Sequence, residues 1–275
     1  MMKTRTRKQS RDTRRAWARL GGALAWVGYL FLLLPSLIII PVSFGGGQEL
    51  AFPPKSFSLD LFIQFFNDAG WWTTAVQSAV VAVATTALSL LAGVPAAYAF
   101  SRSDFPGRRA LEMLALAPML VPVIVLGLGM YMHLAAMQMV NTLLGVVMAH
   151  TVLVLPFMLV CVSSGLRHAD PALETVALMM GASRLRIFVQ VVLPQIRSSV
   201  IVGALFAFLI SFDEVVIAYF ITGPDSTTLP VKMYSAIRWE ISPILAAVST
   251  LLTLLSLAIC LTLMALQPPK PQADQ

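Results

Sequence analysis

Apolar and polar positions fall in long blocks along this chain, and six apolar blocks stand out. They run from Gly22 to Val42, Ala75 to Phe100, Leu111 to Tyr131, Leu144 to Ser164, Ser198 to Ile221 and Pro243 to Leu266. Each is close to the roughly 20 residues a helix needs to cross a hydrocarbon layer about 30 Å thick, so the pattern predicts six transmembrane helices. Gly93 and Pro95 place a kink in the second block. Pro118, Pro122, Gly127 and Gly129 predict a bent third helix in close contact with its neighbours. The first block follows a basic segment, as a signal peptide would. Its core is too long, however, and no clear small-residue cleavage site follows, so it reads as a retained signal anchor. The segment from Ser43 to Trp72 is polar and closes on the interfacial pair Trp71-Trp72. Thr222 to Ser242 reads as a loop.

The polar interruption from Arg167 to Arg197, RHADPALETVALMMGASRLRIFVQVVLPQIR, separates the fourth and fifth blocks. Asp170 followed by Pro171 is a helix start, because the carboxylate can cap free N–H groups and proline suits the first helical position. Leu173, Val176, Ala177 and Met180 then share one helical face. Gly181 stands where a left-handed residue closes such a helix. Ser183 can cap a second short helix, with Leu193-Pro194 ending it. Two short helices around a glycine, held between membrane spans, predict a docking surface.

Composition agrees with a membrane protein. Hydrophobic residues make up 58% and charged residues 12%, with a mean hydropathy of +0.81, whereas a soluble domain carries about 25% charged residues. Cys161 and Cys260 both lie inside apolar blocks, which points to neither a disulfide framework nor a metal site. The net charge of +6 is concentrated at the start, where residues 1–19 form a basic arm. That arm is expected to be a disordered topogenic tail, not a nucleic-acid-binding segment. With the N-terminus inside, only Lys55, Lys232 and Arg238 of the 19 basic residues lie outside. This bias puts both termini and the 167–197 loop in the cytoplasm.

Several chemistries are missing. No G-x-x-x-x-G-K-[ST] phosphate cradle occurs, so the chain does not hydrolyse ATP by that route. No H-E-x-x-H or nucleophile elbow is present, and His133, His150 and His168 are scattered. The site signal that remains is Ser211-Phe212-Asp213-Glu214. Counted from Ser198 along one continuous helix, Asp213 lies about 22 Å up the span. Two carboxylates there cost several kcal/mol unless they face water, a partner or a cation. Glu214 would share a small-residue strip with Gly203, Ala207, Ser211 and Ala218, suited to close packing or to lining a pore. A pair that caps a broken helix, or lies at the membrane surface, is the alternative.

The 167–197 loop resembles the cytoplasmic loop of ABC-importer permeases, whose motif is Glu-Ala-Ala, three residues, Gly, nine residues, Ile-x-Leu-Pro. Gly181 and Leu193-Pro194 match at the right spacing, and Val191 replaces the isoleucine. Thr175-Val176-Ala177 stand in place of Glu-Ala-Ala, with Glu174 one position early. The stretches Ser211 to Ile217, Thr228 to Tyr234 and Ile237 to Pro243 are similar to the C-type membrane subunit of spermidine/putrescine permeases.

That resemblance implies an all-α type I ABC-importer permease fold with six transmembrane helices and a cytoplasmic coupling helix. It divides the chain into the arm (1–19), a permease domain (20–266, coupling loop 167–197) and a cytoplasmic tail (267–275). The implied function is translocation of polyamines across a bacterial inner membrane by alternating access. No cofactor is expected in this chain, since ATP-Mg would sit on the partner ATPase. The implied partners are a sister permease, two cytoplasmic ATPase subunits, a periplasmic substrate-binding protein and the lipid bilayer. Coupling is expected through Asp170, Leu173, Glu174, Val176, Ala177, Met180, Gly181 and Ala182. The substrate pathway is expected at Asp213, Glu214 and Ser211, and binding-protein contact at Arg238-Trp239-Glu240. The alternatives are a permease for another small solute, a secondary transporter or channel, and a membrane scaffold.

Overall fold

A computed structural model describes residues 3–46, 51–239 and 242–266. In chain order its helices are α1 (Lys3–Ser43), α2 (Asp60–Asn67), α3 (Ala69–Arg102), α4 (Arg108–Leu116), α5 (Val123–Ala136), α6 (Leu143–His168) and α7 (Pro171–Met179). They continue as α8 (Arg184–Ile187), α9 (Leu193–Gln195), α10 (Arg197–Asp213), α11 (Val216–Ile221), α12 (Leu229–Trp239) and α13 (Ile244–Leu266). A 3-10 turn (Ala117–Met119) follows α4, and a π-helical segment (Phe188–Val192) joins α8 to α9. No strand occurs among the described residues; Gly45 and Phe57 form an isolated bridge.

The chain forms two compact units. Residues 1–68 and 241–275 make one, and residues 69–240 make the other. In the first, α1, α2 and α13 pack together, burying Val42, Leu61, Phe65 and the start of α13 from Leu245 to Val248. The basic arm is helical and not disordered, since α1 runs from Lys3. The arm contains no Gly or Pro, and its Arg, Lys and Gln residues are good helix formers. Leu24 to Ser43 of α1 is long and apolar enough to cross a membrane, as are α3 and α6.

In the second unit α3, α6 and α10 pack on one another. Small residues set their separation. Met158 of α6 is wedged between two glycines: a Cβ on Gly93 of α3 would lie 2.7 Å from its Cγ, and one on Gly203 of α10 would lie 2.8 Å from its Sδ. The predicted bend of the third span is sharp. The helices on either side of Leu120–Pro122 meet at 108°, as expected where two prolines lack N–H donors. Gly127 lies against Phe220 of α11, whereas Gly129 faces open space.

The expected loop from Thr222 to Ser242 contains α12. Its Leu229 N–H donates to Ser78 Oγ at 2.7 Å, and Lys232 Nζ lies 4.9 Å from the centre of the Trp71 ring. Leu229, Val231 and Ala236 are buried, so tertiary packing supports a helix that has no long apolar block. Arg238 and Trp239 end α12 exposed, while Glu240 and the tail 267–275 lie outside the described residues.

Candidate functional site

The coupling segment begins as its sequence dictates. Asp170 is extended, and its carboxylate accepts the Ala172 N–H at 2.9 Å, with Pro171 opening α7. The Asp170 N–H donates to Gln195 Oε1 at 3.0 Å, tying the start of α7 to α9. At the other end Gly181 has φ +82°. Its N–H donates to Leu178 O at 3.0 Å and the Ala182 N–H to Ala177 O at 3.1 Å. These two bonds form a Schellman closure, which needs a residue free to adopt positive φ. The Ser183 side chain caps α8.

Beyond α8 the structure departs from the sequence reading. Leu193-Pro194 does not end the helix. Pro194 has no N–H, and its ring crowds the carbonyl four residues back. The wider π turn at Phe188–Val192 relieves that crowding. The break comes at Ile196, where the two helical stretches meet at 80°.

The faces of α7 also differ from expectation. Leu173, Val176 and Met180 are 49%, 53% and 82% exposed, joined by Met179 at 83%. Ala177 and Ala182 instead pack inward on the cluster formed by α3, α6 and α10. Glu174 also turns inward. Its Oε1 accepts from Arg102 Nε at 2.8 Å and its Oε2 from the Tyr98 hydroxyl at 2.9 Å. Arg102 Nη2 additionally donates to the carbonyls of Leu166 (3.2 Å) and Ala169 (3.4 Å) at the end of α6. One position along a helix is a rotation of about 100°. That rotation separates inward Glu174 from exposed Thr175. Sequence reasoning named Glu174 but missed Arg102 and Tyr98, because no local periodicity links residues more than seventy positions apart.

The expected fifth span is not one continuous helix. It stops at Asp213, Glu214 is extended (φ −72°, ψ 118°), and α11 starts at Val216. Glu214 Oε1 accepts the Ile217 N–H at 2.9 Å, so this carboxylate caps α11. Asp213 is exposed and Glu214 half-buried. The small-residue strip Gly203, Ala207 and Ser211 is buried, so it packs against α6 and the break removes Glu214 from it. Ser211 Oγ lies 2.9 Å from His150 Nδ1 in a buried hydrogen bond. Thr85 Oγ1 and Ser89 Oγ on α3, and His150 Nε2, are buried without a protein partner. Among the described residues no group of three His, Cys, Asp or Glu could hold a metal ion.

Apolar helices long enough to span a membrane, two of the candidate spans sharply bent and a capped helix pair lying between spans, are the features of a multi-pass membrane protein. The chain belongs to the family of binding-protein-dependent transport system inner membrane components, whose profile matches residues 89–268. That range takes in the coupling segment and both bends. Over 233 residues the chain is 28% identical to the putrescine transport system permease protein PotI of Escherichia coli (strain K12), covering 82% of this chain and 83% of the relative. It is 29% identical over 243 residues to the spermidine/putrescine transport system permease protein PotC of Haemophilus influenzae, covering 87% and 93%. A bacterial ABC transporter involved in the import of the acidic polysaccharide alginate shares the fold. Its TM-score is 0.72 at 16% identity, over 92% of this chain and 96% of that one. The protein is thus a multi-pass inner-membrane permease subunit of an ABC importer, and a permease subunit is not itself an enzyme.

Proposed function

We propose that this permease carries polyamines into the cell. The observation that carries the substrate class is the exposed carboxylate of Asp213 at the break between α10 and α11, in a chain similar to putrescine and spermidine/putrescine permeases. A polyamine is a string of ammonium groups, and negative charge along a partly apolar path offsets the loss of their hydration. The bias of basic residues supports cytoplasmic termini and a cytoplasmic coupling segment.

In this reading the chain pairs with a sister permease in a complex with two ATPase subunits, which hold ATP-Mg, and docks one of them on the exposed face of Leu173, Val176 and Met180. A periplasmic binding protein delivers the solute to the opposite side, where Arg238 and Trp239 are candidate contacts. Closure of the ATPase pair moves α7, and the pathway opens alternately to either side. The test is ATP-dependent uptake of radiolabelled putrescine and spermidine by the reconstituted complex. Unlabelled polyamine should compete and an amino acid or sugar should not. Uptake of neither polyamine by an assembled, ATP-hydrolysing complex would overturn the substrate reading.

A further inference from the structure

The coupling helix α7 is held to the rest of the subunit by few side chains. It contains no buried side chain. Ala177 alone of the α7 side chains packs on the apolar cluster, and beside the helix lies a cavity of about 220 Å³ lined by Tyr98, Arg102, Glu174, Leu178 and Arg184 among others. Apolar packing therefore holds α7 through one small side chain. The backbone joins α7 to α6 through Ala169 and Asp170. Among the described residues, the only side-chain hydrogen bonds from α7 to α3 are those of Glu174. Both of its carboxylate oxygens are used, one by Arg102 and one by Tyr98. Both partners of the ion pair are largely shielded, with side chains 14% exposed for Glu174 and 22% for Arg102. The same guanidinium reaches the last carbonyls of α6, and the Tyr98 ring lies 5.0 Å from that of Phe188 in the π segment. One arginine therefore gathers α3, α6 and α7 at a single point.

We propose that Glu174, Arg102 and Tyr98 form a strut that transmits motion of the coupling helix to α3. They are positioning residues for transport and take no part in holding the ATPase. An ion pair suits this role because it acts in both directions: a charge-assisted bond resists being pulled apart, whereas an apolar contact of one small side chain slides. Displacing the glutamate by one position from the family's motif carries it from the outward to the inward face. In this subunit the charge that could have met the ATPase is committed internally.

The experiment uses the complete complex in proteoliposomes, with its ATPase and its binding protein. It measures how far the binding protein, added on the outer side, stimulates ATP hydrolysis. This readout requires a signal to cross the spans and does not depend on which solute is carried. Glu174→Gln and Arg102→Glu should each co-purify with the ATPase as the unaltered chain does, yet lose stimulation at least fivefold. Tyr98→Phe, which keeps the ion pair, should lose less than either. The exchange Arg102→Glu/Glu174→Arg should recover at least half of the lost stimulation, because opposite charges again meet. Three results would overturn the strut: stimulation unchanged in Glu174→Gln, loss of the ATPase from that variant, or a double exchange no better than the worse single one. A bond needed only for folding would lower yield and leave the stimulation ratio of the surviving complex unchanged, which also counts against it.

Discussion

His150 and Ser211 hold each other inside the packed junction of α6 and α10, with Nδ1 and Oγ 2.9 Å apart and both side chains buried. The imidazole has no second protein partner at Nε2, so Ser211 supplies its one side-chain bond. Interhelical bonds in membranes average about 0.6 kcal/mol, and stranding a buried polar group costs about 1–3 kcal/mol. We predict that Ser211→Ala lowers stability by about 1–2 kcal/mol, seen as a lower Tm of the solubilised complex. The KM for solute should stay unchanged in the assembled fraction. A changed KM with unchanged Tm would return Ser211 to the substrate pathway.

Met158 predicts an asymmetry between its two glycines. A Cβ at Gly93 meets the Cγ and Cβ of Met158 at 2.7 and 3.3 Å and Leu155 Cδ1 at 3.3 Å; at Gly203 the nearest atom is the Sδ, further along a flexible chain. Overpacking of this kind costs about 1–3 kcal/mol, and methionine yields most readily at its far end. Gly93→Ala should therefore destabilise more than Gly203→Ala. Gly93→Ala combined with Met158→Ala should cost less than the sum of the two, which a double-mutant cycle on thermal unfolding measures.

Gly181 is a case of backbone demand alone. Nothing lies within 4 Å of a Cβ built there, yet φ is +82°. Gly181→Ala should cost about 1 kcal/mol and Gly181→Asn less, since asparagine tolerates the left-handed region. Proteolysis between α7 and α8 reads the loosening. Equal protection of all three forms would show that the closure does not hold the two helices in register.

How much of this was legible in the sequence follows from the range of each interaction. The apolar blocks and the closures at Asp170 and Gly181 are local, so composition and capping residues announced them. The break at Glu214 was legible only as the alternative reading, a carboxylate pair capping a broken helix, because Ser211-Phe212-Asp213-Glu214-Val215-Val216 contains neither glycine nor proline to mark it. A side-chain carboxylate takes the place of a backbone acceptor there. The inward turn of Ala177 was hidden by its size: a small apolar residue suits either face. The helix α12 depends on anchors at Ser78 and Trp71, and Arg102 on a helix far away in sequence. Such contacts leave no periodic trace.

The exposed face of α7 makes a prediction about docking. Leu173, Val176 and Met180 are apolar side chains left largely in solvent, and such a cluster reads as a contact surface. Val176→Asp should leave membrane insertion intact and reduce co-purification of the ATPase at least tenfold. Thr175→Ala, on an exposed position whose hydroxyl only returns to Pro171 O at 3.2 Å, should bind the ATPase normally. Retention of the ATPase by Val176→Asp would remove this face from the interface.

The two carboxylates at the break can be separated, because they do different things in the structure. Glu214 accepts the Ile217 N–H through Oε1, and an amide oxygen can accept the same bond. Glu214→Gln therefore removes charge and keeps the cap, whereas Glu214→Ala removes both. Loss of a cap costs about 0.5–2 kcal/mol, so we predict lower thermal stability for Glu214→Ala and near-normal stability for Glu214→Gln. Asp213 is exposed at the end of α10 and free to meet a cation. A direct carboxylate–ammonium contact is worth about 1.5–3 kcal/mol, and its loss should lower putrescine uptake roughly tenfold to a hundredfold in Asp213→Asn. Assembly should survive in both charge-removing variants. If Glu214→Gln transports as the unaltered chain does while Asp213→Asn fails, the pathway runs past Asp213 and Glu214 serves the backbone. If both fail alike, both carboxylates face the solute. Undiminished uptake in Asp213→Asn would mean that no ammonium group meets this carboxylate, and the polyamine reading would lose the observation that carries it.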